Sequence, residues 1–210
     1  MKILSSSQLG RGTAGLMLSM LIVVSVAYGA EPPKIPSHGF GPAMGWKTGD
    51  LAGFDVSGPS LELRYMKVFP SYPILALGVE GDYSRLDVEA AGLRGADAYG
   101  YGVVAATMVP FDLFGIGPAD LPRGAGLPLY VGYNPLERID FIDAGAATLS
   151  GQSLRFGLQL PTPWAILQLE YTTFFFGDDQ RLPAALGGGE ADFNTFQIGL
   201  QFPIPLGFHH

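Results

Sequence analysis

Hydrophobic and polar residues alternate along much of this chain. Between Leu154 and Leu160, apolar residues occupy every second position and are separated by Arg155, Gly157 and Gln159. This two-residue period predicts β-strands with one apolar and one polar face. Gly and Pro lie between the alternating segments at intervals typical of turns. The pattern therefore predicts an all-β protein.

Eight segments have this character. The weakest is the first, because Pro42 interrupts it and must lie at a strand edge or end, but a closed barrel requires it. Long connections are predicted at 49–57, 85–96, 135–151 and 177–192, and short Pro-containing turns at 69–73 and 161–163. The long segment 110–126 falls on the short-turn side. The predicted strands are 40–46, 61–66, 75–84, 97–109, 127–133, 154–160, 167–175 and 195–202.

The first thirty residues have the pattern of a secretory signal. Lys2 and Arg11 form a positive region, residues 16–26 are almost wholly apolar, and Ala27-Tyr28-Gly29 supplies small residues for cleavage. The apolar run is short for an uncleaved anchor helix, which needs about 20 residues. We expect a cleaved signal peptide at 1–29, a short segment at 30–38, a barrel at 39–203 and a tail at 204–210.

Export limits where so many half-apolar strands can reside. No later stretch is apolar for long enough to span a membrane as a helix, and closed barrels are the other structure that lipid permits. The chain has no Cys, which excludes disulfides. Without the signal, the chain has ten basic and nineteen acidic residues, a formal charge of −9. Such a negative charge disfavours binding to nucleic acid. The sequence predicts an antiparallel up-and-down transmembrane β-barrel of eight strands.

Four segments in the second half carry a family resemblance. Together they resemble the C-terminal half of small eight-stranded outer-membrane barrels of the OmpA/OmpX type. The resemblance implies localisation in the outer membrane of a Gram-negative bacterium and insertion by the barrel-insertion machinery. Those proteins usually end on an aromatic residue, whereas this chain continues beyond Phe202. The four segments are LPLYVGY (127–133), SLRFGL (153–158), LQLEY (167–171) and FQIGLQF (196–202).

The polar face of each strand would line the barrel interior. An interior carboxylate is tolerable when an Arg pairs with it, so we expect a polar network that fills the narrow lumen. Its predicted members are Glu62, Arg64, Glu80, Asp82, Arg155, Gln168 and Glu170. Aromatic residues near strand ends predict girdles at the two membrane surfaces. Their predicted members are Trp46, Phe69, Tyr72, Trp164, Phe175 and Phe202.

The sequence contains little that could be catalytic. Barrel enzymes acting on lipid acyl chains need a His paired with Ser near the outer rim, and His38, His209 and His210 all lie outside the long loops. The acidic residues of the last loop are interpreted as solvated. We therefore expect no enzyme activity, no cofactor and no metal.

Three functions remain open. The first is a monomeric structural or adhesive outer-membrane protein that contacts membrane lipid and lipopolysaccharide. The second is a narrow pore for ions or small solutes. The third is a soluble, exported lipocalin-like barrel that holds a lipid inside.

Overall fold

All eight predicted strands are present. The computed structural model describes residues 36–69, 75–90, 93–110, 126–142, 147–162 and 164–208, so the predicted signal peptide, Tyr72 and His209-His210 lie outside the described residues. No helix in the described part of the chain is long and apolar enough to span a membrane. A 3-10 helix, Ala184–Leu186, lies between the seventh and eighth strands. The strands are β1 (Pro36–Leu51), β2 (Phe54–Phe69), β3 (Leu75–Val88), β4 (Gly95–Pro110), β5 (Gly126–Ile142), β6 (Thr148–Pro161), β7 (Ile166–Phe176), β8 (Phe193–Gln201) and β9 (Ile204–Phe208).

The strands form a closed antiparallel barrel. Each of β1 to β8 pairs with its neighbour in the chain, and β8 pairs with β1, so that Met44 lies opposite both Leu61 and Leu200. We call the end that carries the start of β1 and the end of β9 the terminal end. The opposite end, where β1 connects to β2 and β7 to β8, is the distal end.

Residues 204–208 are part of the sheet, whereas the sequence analysis assigned them to a tail at 204–210. Ile204–Phe208 forms β9, a continuation of β8 that pairs with the start of β1. The Phe202 N–H donates to the Pro42 carbonyl of β1. Backbone N–H groups alternate in direction along a strand, so the backbone nitrogens of residues 203 and 205 point away from β1. Both are Pro and lack an N–H. No strand flanks β9 on that side in the described sheet. The two prolines leave this edge without backbone N–H donors with which another strand could pair.

Three of the four distal connections between the strands are shorter than predicted. The long connection expected at 49–57 is only a turn of Ala52 and Gly53, with φ values of 50° and 91°. Positive φ at both positions matches the right-handed twist of a hairpin, and the Asp50 carboxylate accepts from the Gly53 N–H at 2.9 Å. Several strands continue where loops were expected, and 177–192 alone remains a long distal connection among those the structure describes.

The outer surface changes character along the barrel axis. Near the terminal end and the middle, the outward side chains are apolar and exposed, for example Leu61 at 56% and Val103 at 55%. A strand tilted by about 40° needs roughly ten residues to rise about 25 Å, the height of an outer-membrane apolar band. The strands β1 to β6 have 14 to 17 residues and are longer than that. The additional residues at the distal ends of the strands carry charge on the outside: Asp50, Asp55, Arg85, Asp87, Asp97, Arg138 and Asp140.

A bulge in β5 exchanges the two faces of that strand. Pro135 and Leu136 are consecutive and both exposed, and the pairing of β5 with β6 shifts between Asn134 and Glu137. Beyond the bulge, Ile139 and Phe141 point inward although they share odd numbering with the outward residues before it. The segment 138–142, which lies within the long connection predicted at 135–151, therefore extends the barrel wall.

Candidate functional site

The middle of the lumen contains a network of buried charged residues. All seven residues predicted to line the lumen lie there, and each is at most 9% exposed. Inward-facing positions on β2, β3, β5, β6 and β7 supply most of the network, which we call the ion network. Its charged members are Lys47, Glu62, Arg64, Glu80, Asp82, Glu137, Arg155 and Glu170.

Arg64 lies within 4 Å of three carboxylates. Its Nη2 is 2.6 Å from Glu62 Oε1, 2.9 Å from Glu80 Oε2 and 3.9 Å from Glu170 Oε2. Its Nε also donates to Glu80 Oε2 at 3.1 Å. The guanidinium carbon is 4.2 Å from the centre of the Tyr130 ring, within the range of a cation–π contact. One cation therefore serves three carboxylates and holds three strands together.

Arg155 organises the neighbouring part of the network. Its Nη2 donates to Asp82 and lies 3.4 Å from Glu137 Oε1. Lys47 Nζ donates to the other Asp82 oxygen at 3.0 Å. The Asn134 amide donates to Glu137 at 3.1 Å, and so does the Ser153 hydroxyl at 2.6 Å. These contacts link β1, β3, β5 and β6 across the lumen.

Tyr130 and Gln168 connect the network on the terminal side. The Tyr130 hydroxyl donates to Glu170 Oε2 at 2.7 Å, and Gln168 Nε2 donates to that hydroxyl at 2.8 Å and to Glu62 at 3.2 Å. The Tyr130 ring lies over Gly157, where a Cβ would overlap it. A glycine at this position is therefore required for the ring to lie across the lumen.

Sequence reasoning missed several members of this network. Lys47 and Tyr130 share the inward parity of their strands, so the alternation that identified Arg155 could also have identified them. Glu137 was hidden by the β5 bulge, and the only signal for it was Pro135 inside a strand.

The distal lumen has a different filling. Inward-facing apolar residues pack into a water-excluding core, which we call the apolar plug, and the Phe174 and Phe193 rings stack within it at 4.4 Å. Leu182 and Leu186, from the long β7–β8 connection, pack against the plug from the distal end. The plug therefore lies between the ion network and the distal end. Its members are Leu51, Val56, Leu86, Val88, Leu93, Ala96, Ala98, Ile139, Phe141, Leu149, Phe174, Leu182, Leu186 and Phe193.

The distal outer surface carries exposed ion pairs. Arg85 pairs with Asp97 at 3.0 Å, and Arg138 with Asp140 at 2.8 Å. Partial burial works to raise the pKa of Asp140, but hydrogen bonds from Thr148 and Arg138 outweigh it and hold that pKa below its usual range. These pairs lie in water, where each contributes about 0–1 kcal/mol.

Five of the six predicted girdle residues are described, and all five are exposed. Trp164 is 88% exposed in the β6–β7 turn, while Phe69 and Phe202 lie towards the terminal end. Trp46 and Phe175 are on the distal halves of their strands. Their placement at lipid headgroups stays a prediction.

The chemical groups of the lumen are arranged for packing and pairing. No group of three or more His, Asp or Glu in the described residues could hold a metal ion. His38 lies at the terminal end and its Nδ1 is 2.9 Å from the Ser37 hydroxyl, the residue directly before it. Apolar side chains face outward around the middle of the barrel, where the interior is polar and ion-paired. The chain is a closed eight-stranded antiparallel barrel with an exposed apolar outer surface.

Comparisons with known proteins give likenesses of fold. No protein-family model and no curated protein matches the chain. Among solved structures, the barrel is similar to Neisserial surface protein A, with a TM-score of 0.48 and 14% identity over 81% of this chain and 97% of that one. It is also similar to Ail, the attachment invasion locus protein of Yersinia pestis, in two structures. The complex with the heparin analogue sucrose octasulfate has a TM-score of 0.47 and 14% identity over 80% of this chain and 99% of that one. The other has a TM-score of 0.44 and 16% identity over 81% and 100%.

Proposed function

We propose that this protein is a monomeric, non-enzymatic outer-membrane barrel of a Gram-negative bacterium that conducts no solute and acts structurally or adhesively through its distal end. The observation that carries the proposal is the stacking of the apolar plug on the ion network. An ion that entered from the terminal end would have to displace paired side chains and then cross a dry apolar layer, where transfer of an unpaired charge is very unfavourable.

The outer surface supports a lipid environment. The exposed apolar belt exceeds what a soluble protein leaves uncovered, and its rows continue from strand to strand around the barrel. Acyl chains of phospholipid and lipopolysaccharide would cover it, and the barrel-insertion machinery would place it. A soluble lipocalin-like barrel requires the reverse, with apolar residues lining its cavity.

The distal end is the surface available to other molecules. Its long connection carries Asp178, Asp179, Glu190 and Asp192 exposed to solvent. Outer-membrane barrels place their longer loops outside the cell, and 177–192 is slightly longer than the connection 111–125 at the terminal end. Together with the exposed acidic residues of 177–192, this leads us to propose that the distal end faces the exterior.

Two measurements test the proposal. Wild-type protein reconstituted in planar bilayers should give no steady conductance, whereas stable openings that disappear in Arg155→Met would favour the pore alternative. Trypsin added to intact cells should cut after the exposed Arg181, and Arg181→Gln should remove that cut. Recovery of the protein from periplasmic extract without detergent would contradict the membrane assignment.

A further inference from the structure

The charges of the lumen do not balance. The described lumen-facing residues include five carboxylates, on Glu62, Glu80, Asp82, Glu137 and Glu170, but three cations, Lys47, Arg64 and Arg155. These groups lie on β1, β2, β3, β5, β6 and β7, and the inward residues described on β4 and β8 are uncharged. If every group were ionised, the interior would carry two uncompensated negative charges.

The excess is concentrated around Arg64. The Asp82 and Glu137 carboxylates are matched by Lys47 and Arg155, whereas Glu62 and Glu80 have Nη2 of Arg64 as their nearest cation. Glu170 lies between the two arginines, 3.9 Å from Arg64 and 3.8 Å from Arg155, and Glu80 Oε1 is also 3.8 Å from Arg155. An uncompensated buried charge costs several kcal/mol even after relaxation. The folded barrel must therefore acquire positive charge at this point.

The same cluster contains buried acceptors that lack a donor, beside arginine donors that lack an acceptor: Arg64 Nη1, Arg155 Nε and Arg155 Nη1. The Gln168 carbonyl oxygen Oε1 is fully buried without a donor, although the Gln168 amide nitrogen contacts both Glu62 and the Tyr130 hydroxyl. Glu80 Oε1 likewise has no hydrogen-bond donor. A carboxyl O–H would provide a donor as well as remove a charge. A metal ion is disfavoured because the described residues contain no group that could coordinate one.

We propose that the folded barrel binds two protons from solution, shared among the carboxyl groups of Glu62, Glu80 and Glu170 around Arg64. The unfolded chain, whose carboxyls are solvated, releases these protons at neutral pH. Folding is then coupled to proton uptake. The folded state binds more protons than the unfolded state, so stability falls as pH rises. The barrel would be most stable under mildly acidic conditions.

The test is equilibrium unfolding of the full barrel from phospholipid bilayers in urea, followed by tryptophan fluorescence between about pH 6 and pH 8. Uptake of two protons predicts that the unfolding equilibrium constant rises about 100-fold per pH unit. Glu62→Gln and Glu170→Gln, which each supply a neutral side chain of the same shape, should each reduce the rise to about tenfold. Glu190→Gln, on the exposed distal loop, should leave the 100-fold rise unchanged.

A spectroscopic measurement keeps the proposal testable if a variant does not fold. Infrared spectra of the folded wild type at pH 7 should contain the C=O stretch of protonated carboxyl groups, and Glu190→Gln should retain it. A pH-independent unfolding constant, or the absence of that band, would overturn the proposal. It would also be overturned if added sodium or potassium chloride, instead of acid, stabilised the barrel and abolished the difference between wild type and Glu62→Gln.

Discussion

Replacing Arg155 with Met removes a buried charge and keeps most of the length of the side chain. Arg155 is fully buried, donates to Asp82 and lies 3.4 Å from Glu137. In the variant Lys47 still pairs with Asp82 at 3.0 Å, whereas Glu137 keeps hydrogen bonds but loses its nearest cation. We expect the variant to fold with reduced stability.

The expected loss in the free energy of unfolding is the free energy needed to protonate the Glu137 carboxylate, which is the least unfavourable way to bury it without a cation. For a carboxyl group with an ordinary pKa of about 4.3, placing a proton on it at pH 7 costs about 3.7 kcal/mol. This agrees with the 3–5 kcal/mol typical of breaking a buried ion pair by removing one partner. Because the cost is that of binding a proton, it should fall by about 1.4 kcal/mol for each pH unit of acidification.

The assay is urea unfolding from bilayers, with heat-modifiability on a gel as a second readout of the folded barrel. Arg138→Met makes the same chemical change in an exposed pair with Asp140, where the side chains are 61% and 34% exposed, and should cost about 0–1 kcal/mol. The reasoning is refuted if the two variants lose the same stability. It is also refuted if the loss in Arg155→Met does not shrink at lower pH.

Further predictions concern packing within the lumen. Phe193→Ala removes a ring that is 1% exposed and stacked on Phe174, and should lower the free energy of unfolding by about 3–5 kcal/mol in the same urea assay; a loss below 1 kcal/mol would mean that the plug is not tightly packed. Gly157→Ala forces the Tyr130 ring to move and should cost about 1–3 kcal/mol. Adding Tyr130→Phe to Gly157→Ala cannot relieve that clash, because the ring itself causes it, so recovery of stability in the double variant would count against the stated contact. A spin label at Leu169 should report hydrocarbon, and a report of bulk water there would contradict the outward direction of that row.

Strand alternation predicted the wall of the barrel and part of its filling, for a simple physical reason. Within the membrane, one face of each strand contacts lipid and the other is enclosed, so parity alone placed Glu80 and Arg155 inside. Parity shows only that two faces exist. Which face is apolar depends on the medium outside, and that medium changes from lipid to water along the axis. In β3, Leu77 is an exposed outward residue near the terminal end, whereas Arg85 occupies the same face further along and Leu86 is buried.

The apolar plug was missed for this reason, and the bulge concealed it further. The plug could have been predicted if the height of the lipid boundary had been known. Leu86 and Val88 point inward between the exposed charged residues Arg85 and Glu89, which indicates an apolar interior beside water. In β5 even that knowledge would fail, because Pro135 and Leu136 shift the parity and turn Ile139 inward.

The position of the polarity change determines how deeply the barrel can sit in a bilayer. If the barrel moved inward, the charged distal positions such as Asp97 and Arg138 would enter hydrocarbon, and if it moved outward, exposed residues such as Leu61 would enter water. Both displacements are unfavourable. The plug begins where the outer surface becomes charged, so the dry apolar layer lies beside water and the ion network lies beside lipid. At the levels of the ion network and of the plug, charged groups thus face one side of the wall only. The inward residues of each strand set the lumen filling, and the outward residues of the same strand set the membrane position.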